Sequence, residues 1–158
     1  IRVGGGHNHR MGLFDGVLIK DNHIAACGGI APAVARIRRH IHHLMKIEVE
    51  VSNLEQVREA LAAGAEVIML DNMDSARIRK ALKLIQGQAL VEVSGGVSSG
   101  NLAQLAATGV DVISIGALSF GPQRGFEHDN KLTARFARGA KAAKKNQKMT
   151  SALPASLQ

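Results

Sequence analysis

The stretch that decides the fold covers residues 47–70 and reads IEVEVSNLEQVREALAAGAEVIML. Its first five residues alternate in the way a β-strand does, and Val67-Ile68-Met69-Leu70 is a short, fully apolar strand pattern. Between them, Leu54 to Ala63 has helical periodicity, and Ser52 or Asn53 can cap the helix. The segment is therefore predicted to form a strand–helix–strand unit.

The same unit recurs along the chain. Residues 91–94 and 108–113, VEVS and TGVDVI, repeat the pattern of 49–52 and 63–68, VEVS and AGAEVI. The remaining predicted elements are strands at Val17–Ile19, Ala89–Val93 and Val112–Ile115, and helices at Ile30–Leu44, Asp74–Gln86 and Asn101–Thr108. Five strands alternating with four helices predict an α/β fold with right-handed crossovers and a parallel sheet.

Near-equivalent successive units favour a barrel over a doubly wound sheet. A complete barrel of eight such units needs about 250 residues, and this chain has 158. The prediction is therefore an incomplete TIM-like (β/α) barrel over residues 1–120. Residues 121–158 are predicted to be a basic tail, with a helix near 131–145 and disorder from Met149 onward.

A glycine-rich motif precedes the first predicted strand. Gly4-Gly5-Gly6-His7-Asn8-His9-Arg10 is followed by the strand Val17–Ile19 and then by Lys20-Asp21-Asn22-His23. Guanidinium and ammonium groups hold carboxylates and phosphates through charge-assisted hydrogen bonds. We therefore expect Arg10, Lys20 and the histidines to gather in one pocket for a small, multiply charged anion.

Polar or glycine residues stand at the predicted carboxyl ends of the strands, where parallel barrels place their active sites. They are Lys20, Glu50, Asp71, Ser94-Gly95-Gly96 and Gly116. Glu50 and Asp71 could hold Mg²⁺, accept hydrogen bonds from sugar hydroxyls, or pair with Lys20. Bare amides at Gly95 and Gly116 could hold a phosphate. Glu48 and Glu92 could face either side of the sheet.

Three other features favour structural or solvent-exposed roles. His40, His42 and His43 stand at the polar end of a predicted surface helix, which does not favour a metal site. Cys27 has no adjacent nucleophile motif, and a single cysteine excludes an internal disulfide and fits a reducing compartment. His23 could be structural or could line the pocket.

Charge is distributed unevenly along the chain. Residues 1–120 contain 12 Lys and Arg against 11 Asp and Glu, whereas 121–158 contain 8 against 2. There is no Trp or Tyr on which bases could stack, so composition does not favour a nucleic-acid reader. No apolar run approaches the roughly 20 residues of a membrane span. We expect a cytoplasmic protein with no nucleic-acid or membrane partner.

With these motifs in place, the chain resembles the quinolinate phosphoribosyltransferase family, the decarboxylating enzymes of NAD biosynthesis. The resemblance runs from about Arg2 to Leu118. It rests on six ordered motifs: GGGHNHR at 4–10, LIKDNH at 18–23, EVEV at 48–51, IMLDN at 68–72, SGG at 94–96 and GVDVISIGAL at 109–118.

The resemblance implies a pentosyltransferase that joins quinolinate to phosphoribosyl pyrophosphate, in a homodimer or higher homo-oligomer, with Mg²⁺. It places His9, Arg10 and Lys20 around the two carboxylates of quinolinate. Glu50 and Asp71 would meet the ribose hydroxyls and Mg²⁺. Ser94, Gly95 and Gly116 would bind the 5′-phosphate, and Lys20, Glu50 and Asp71 would be the catalytic residues.

Two parts of the family pattern are not found in this sequence. Neither the amino-terminal domain nor an upstream Thr-Arg-Lys segment precedes the first motif, and the tail after Leu118 is unrelated. We therefore expect a fragment or divergent relative with weak ligand binding and little turnover. The alternatives are an inactive remnant or binding module, a molybdenum-transport-associated relative with another anionic substrate, and a barrel aldolase with Lys20 as its Schiff-base lysine.

Overall fold

The computed structural model describes residues 6–10, 12 and 14–116, together with the backbone of 132–134. The helices and strands in chain order are β1 (His7–Asn8), β2 (Val17–Ile19), α1 (Asp21–Cys27), α2 (Ile30–Arg38), β3 (Ile47–Val51), α3 (Leu54–Ala62), β4 (Val67–Asp71), α4 (Ser75–Ile85), β5 (Leu90–Ser94), α5 (Leu102–Ala106), β6 (Val112–Ile115) and β7 (Leu132–Ala134).

The strands form one sheet in the order β1-β7-β6-β5-β4-β3-β2. Strands β2 to β6 are parallel and pair in chain order, so each crossover carries the chain to the next strand. Strand β7 pairs antiparallel with β6, and β1 pairs antiparallel with β7. Because β1 and β2 lie at opposite ends of this order, the sheet of the described strands does not close into a ring. The predicted α/β class and incomplete barrel are confirmed.

The two faces of the sheet have different chemistry. Alternate strand residues, among them Val49, Val51, Ile68 and Leu70, pack against apolar helix residues in one buried core. Successive side chains of a strand point to opposite faces. The other face therefore carries Glu48 and Glu50 on β3, Met69 and Asp71 on β4, Glu92 and Ser94 on β5, and Ser114 on β6. This face, which we call the inner face, contains the polar residues predicted at the strand ends.

The helix after β2 was not predicted. Helix α1 is only seven residues long and has no buried residue, so it lacks the apolar periodicity that reveals a helix in sequence. It begins where His23 Nδ1 accepts a hydrogen bond from the backbone N–H of Lys20 at 3.1 Å. It ends at Gly28, whose φ of 77° is left-handed. His23 therefore has a structural role as a cap, one of its two predicted possibilities.

Helix α2 is shorter than predicted, because it ends at Arg38 and not at Leu44. The Arg38 guanidinium leaves the helix surface to pair with the carboxylate of Glu66 and to donate to the Gly64 carbonyl at 2.7 Å. The apolar residue predicted to extend the helix, Leu44, is 78% exposed. The apolar periodicity of the sequence extends beyond Arg38, but the tertiary contacts of Arg38 end the helix there.

The tail is described only in part. Strand β7 lies inside the segment predicted to be helical at 131–145, so that prediction is wrong for residues 132–134. The rest of 121–158, including the disorder predicted from Met149, lies outside the described residues. The division into a barrel at 1–120 and a tail stays a prediction. Within the described part, no helix is long and apolar enough to cross a membrane.

Candidate functional site

The carboxyl ends of the parallel strands form one rim. Lys20 follows β2, Glu50 is the fourth residue of β3, Asp71 and Ser94 are the last residues of β4 and β5, and Gly116 follows β6. Asp71 and Ser94 are direct register partners. By strand alternation, Lys20, Glu50, Asp71 and Ser94 share the inner face. The structure thus places a cation, two carboxylates and a hydroxyl at the same end of the barrel.

Asp71 is held by its own neighbour. Asn72 Nδ2 donates a hydrogen bond to Asp71 Oδ2 at 2.7 Å, and the backbone N–H of Asn72 donates to the Ser94 carbonyl at 2.9 Å. Asn72 has a φ of 52°, which is rare for a residue other than glycine. The motif Asp71-Asn72 was noted in the sequence, but no role was predicted for Asn72.

The glycine turn after β5 is separated from the next helix. Ser94-Gly95-Gly96 was predicted to lead into a helix that starts at Asn101, and the bare amides of this turn were predicted to hold a phosphate. Helix α5 begins at Leu102 and has five residues, and the intervening turn is closed by Asn101, which accepts from Ser98 and donates to Gly96. Phosphate binding at Ser94, Gly95 and Gly116 therefore depends on the turns themselves and stays a prediction.

A second polar layer lies on the inner face, closer to the amino ends of the strands. Glu48 and Glu92 are buried there, with 8% and 4% of their surfaces exposed, and both contact His9. His9 Nε2 lies 3.2 Å from Glu48 Oε2 and 3.4 Å from Glu92 Oε1. The Ser114 hydroxyl also donates to Glu92. In the sequence, this layer is indicated by Glu48 and Glu92, which stand two residues before Glu50 and Ser94.

The charges of this layer shift one another's protonation. Burial lowers the pKa of His9, but hydrogen bonds and charges from Glu48 and Glu92 outweigh it and raise the pKa to about 9. Burial raises the pKa of Glu48. Burial also acts to raise the pKa of Glu92, yet hydrogen bonds from His9 and Ser114 lower it overall. At neutral pH, His9 is therefore a cation between two buried carboxyl groups.

Lys20 does not line the cavity that contains His9 and Arg10, and the predicted gathering of the three residues in one pocket stays a prediction. His9 and Arg10 line a cavity of about 420 Å³ whose other walls include residues at or near the beginnings of strands, namely Val17, Lys46, Val67, Leu90 and Val112. None of the predicted rim residues lines this cavity. Arg10 Nη1 donates to the Gly16 carbonyl at 3.3 Å. The segment before β2 thus approaches the sheet from the end opposite the rim.

Two groups have the donor atoms to hold a metal ion. Glu50 and Asp71 at the rim offer carboxylate oxygens, the ligands that Mg²⁺ prefers. His9, Glu48 and Glu92 place one nitrogen and two oxygens within 4.8 Å of one another. Because the proton on His9 already supplies a positive charge there, a metal ion could enter only after His9 lost it.

The residues expected to have no chemical role lie away from both layers. His40, His42 and His43 are exposed, and His40 Nδ1 lies 2.7 Å from the Arg36 carbonyl. Cys27 is a free cysteine at the end of α1 and packs against the helix-side core.

Comparison with known proteins agrees with this architecture. Residues 1–123 match the model of the quinolinate phosphoribosyl transferase C-terminal domain. The chain belongs to the quinolinate phosphoribosyltransferase family. The resemblance carried by the six sequence motifs is therefore confirmed.

Individual members of the family are similar in sequence and in fold. A probable nicotinate-nucleotide pyrophosphorylase [carboxylating] of Bacillus subtilis is 49% identical over 119 residues, which are 75% of this chain and 41% of that protein. The structure of nicotinate-nucleotide pyrophosphorylase from Francisella tularensis matches with a TM-score of 0.71 and 41% identity, covering 83% of this chain and 44% of the other. The enzyme from Ehrlichia chaffeensis matches with a TM-score of 0.72 and 42% identity, over 82% and 46% of the two chains.

The chain thus spans less than half the length of these relatives. The matched part of this chain corresponds to the carboxyl-terminal domain of the family and contains the parallel strands and the rim.

Proposed function

We propose that this chain carries the phosphoribosyl-binding barrel of a quinolinate phosphoribosyltransferase. The observation that supports this most is the rim, where Lys20, Glu50, Asp71 and Ser94 end successive parallel strands on one face. The names of the relatives, which are nicotinate-nucleotide pyrophosphorylases [carboxylating], agree with it.

In the proposed reaction, the ring nitrogen of quinolinate forms a bond to C1 of the ribose, and the bond from C1 to pyrophosphate breaks. The carboxylate next to the nitrogen then leaves as CO₂, a proton takes its place on the ring, and nicotinate mononucleotide results. Glu50 and Asp71 accept hydrogen bonds from the ribose hydroxyls and stabilise positive charge that develops on the sugar ring. Lys20 attracts the carboxylates of quinolinate and orients it for attack.

The remaining roles rest on the resemblance. Ser94, Gly95 and Gly116 would bind the 5′-phosphate, and Mg²⁺ at Glu50 and Asp71 would neutralise pyrophosphate. His9 and Arg10 would contact quinolinate. In the structure His9 Nε2 contacts Glu48 and Glu92, so a contact with quinolinate that keeps these ion pairs would use Nδ1. A homo-oligomer and a cytoplasmic location stay predictions.

Calorimetric titration of the purified 158-residue chain tests the proposal. We expect saturable binding of Mg²⁺–phosphoribosyl pyrophosphate that weakens at least tenfold in Asp71→Asn, and binding of quinolinate that weakens at least tenfold in Lys20→Ala. Glu55→Gln and Lys83→Ala, at exposed helix positions, are the matched controls and should leave the affinity unchanged. Quinolinate is titrated separately, with Arg10→Ala against Arg58→Ala.

Two results would contradict the proposal. One is a folded chain that binds neither ligand at millimolar concentration. The other is binding that Asp71→Asn and Lys20→Ala leave intact, which would place the site elsewhere. An inactive remnant that acts through its basic tail predicts a third pattern, salt-sensitive binding to polyanions that disappears when residues 121–158 are removed.

A further inference from the structure

The turn between β4 and α4 contains a backbone conformation that costs free energy. In the described part of the chain, Asn72 and Gln86 are the residues other than glycine with a positive φ. Gln86 ends helix α4, where a left-handed residue is common. Asn72 does not end a helix, because it directly follows the last residue of β4. A strained residue at a strand end needs contacts that hold it.

Three contacts hold Asn72. Its backbone N–H donates to the Ser94 carbonyl at 2.9 Å, and its side-chain Nδ2 donates to Asp71 Oδ2 at 2.7 Å. The third contact is the close approach of Gly95. A Cβ atom placed on Gly95 would overlap Asn72 Oδ1 and would lie 2.6 Å from Asn72 Cγ and 2.9 Å from the Asn72 backbone nitrogen. The Asn72 amide thus lies between the Asp71 carboxylate and the bare Cα of Gly95.

The orientation of the amide follows from its partner. A carboxylate can only accept a hydrogen bond, so the amide group facing Asp71 is the NH₂ donor and its oxygen faces Gly95. A hydrogen bond that a second residue donates to a carboxylate restricts the directions in which its lone pairs point. Such supporting residues commonly change ligand or metal affinity by 10- to 100-fold when they are replaced.

We propose that Asn72 is a positioning residue that fixes the Asp71 carboxylate toward the rim, and that Gly95 lacks a side chain so that the Asn72 amide can occupy this place. The proposal rests on the function proposed above, in which Asp71 binds the ribose hydroxyls and Mg²⁺. It also assigns to Gly95 a steric role that is independent of phosphate binding.

The first variant is Asn72→Gly, because glycine adopts a φ of 52° without strain and the fold is therefore retained. We expect Mg²⁺–phosphoribosyl pyrophosphate to bind about tenfold more weakly. The Asp71 side chain should change from one rotamer to an average of several, measured as three-bond couplings by NMR on the full chain. The melting temperature should stay equal or rise.

A pair of glycine variants isolates the steric contact. Gly95→Ala and Gly96→Ala both place alanine at a positive φ, 80° and 61°, but a Cβ on Gly96 would lie 4.0 Å from Asn72 Oδ1. We expect Gly95→Ala to average the Asp71 rotamers and Gly96→Ala to leave them fixed. In the Asn72→Gly background, Gly95→Ala should cause less additional destabilisation, since the clash with the amide side chain is gone and only the contact with the backbone nitrogen of residue 72 remains.

The outcomes separate this proposal from the one on function. A single, unchanged Asp71 rotamer in Asn72→Gly would overturn the positioning role, whatever the ligand affinity. If Asp71→Asn leaves ligand binding intact, the proposed function fails, and the rotamer measurement still decides the role of Asn72. If Asp71→Asn weakens binding and Asn72→Gly does not, the positioning proposal is wrong and the function stands.

Discussion

His9 determines how firmly the segment before β2 is attached to the barrel. It is a cation between the buried carboxyl groups of Glu48 and Glu92, and its side chain is 10% exposed. Replacing one member of a buried charge cluster leaves the others without compensation, which is more costly than the net stabilisation by the intact cluster. The inner layer should therefore control stability through the protonation of His9.

The first prediction concerns the pH dependence of stability. The pKa of His9 is raised to about 9 in the folded protein from 6.5, so its stabilisation is complete below about pH 6.5 and is lost as the pH rises through about 9. We expect the difference in unfolding free energy between the wild type and His9→Gln to be largest near pH 6.5, at most about 3 kcal/mol. It should shrink toward pH 10, as measured by urea denaturation at each pH.

Comparing the wild type with His9→Gln reduces the contribution of other groups that titrate between pH 6.5 and 10. The charged groups that face His9 are Glu48 and Glu92, while His7, Arg10, Asp15 and Lys46 line the adjoining cavity. The groups that line the cavity are present in both proteins and so contribute little to the difference, whereas the pKa values of Glu48 and Glu92 rise when His9 is replaced and form part of the same charge cluster. His40→Gln, at an exposed position, is the control. A difference that does not vary between pH 6.5 and 10 would show that His9 is not charged in this layer.

At the scale of elements, the two repeated units use a carboxylate in the same way. Glu66 and Asp111 each stand one residue before a strand, β4 and β6. Glu66 Oε2 accepts from the Ile47 backbone N–H at 2.9 Å, and Asp111 Oδ2 accepts from the Val91 backbone N–H at 2.9 Å. The two junctions bind amides two positions apart in the repeat, but each connects the start of a strand to the strand before it.

The second prediction compares these two junctions. Asp111 is 7% exposed, so Asp111→Ala should leave the Val91 N–H buried without its acceptor and cost about 1–3 kcal/mol. The Glu66 side chain is 36% exposed, so water can replace it and Glu66→Ala should cost less. Asp111→Asn keeps an oxygen acceptor and should recover at least half of the loss in urea denaturation. Equal losses in all three variants would contradict the shared junction.

How well the sequence predicted an element depended on how local its determinants are. Strands β3 and β6 follow from apolar alternation and were predicted to the residue, and the cap at Asn53, which rests on one side-chain hydrogen bond, was one of two predicted positions. Helix α1 has no buried residue and gave no periodic signal. The end of α2 depends on the contact of Arg38 with Glu66, 28 residues away. Local patterns do not contain such contacts.

The candidate site likewise has one part that could be predicted from the sequence and one part that could not. The rim could be predicted because parallel strands carry their terminal residues to one edge, so Lys20, Glu50, Asp71 and Ser94 follow from the strand boundaries alone. The position of His9 could not, because it depends on which end of the barrel the segment before β2 approaches. The support of Asp71 by Asn72 depends on a left-handed φ that the residue types do not specify.

At the scale of the whole molecule, the rim has an excess of negative charge. In the described part of the chain it carries the carboxylates of Glu50 and Asp71 and the cation Lys20, whereas the deeper carboxyl groups of Glu48 and Glu92 contact His9 and share their cavity with Arg10 and Lys46. The net charge of +7 belongs mostly to residues 121–158 and does not describe this surface. Divalent cations should therefore bind at the rim, where the carboxylates of Glu50 and Asp71 end their strands, despite the basic composition of the chain.

The third prediction is that Mg²⁺ stabilises the folded chain. A ligand that binds only the folded state at ten times its Kd adds about 1.4 kcal/mol to the unfolding free energy. For a chain of this size that corresponds to an increase in Tm of about 3–6 °C. The increase should disappear in Asp71→Asn and be reduced in Asn72→Gly, because both changes act on the same carboxylate, whereas Glu55→Gln should retain it.

KCl at matched ionic strength distinguishes binding from screening of the like charges on the inner face. If KCl raises Tm as much as Mg²⁺ does, the carboxylates repel one another but do not form a cation site.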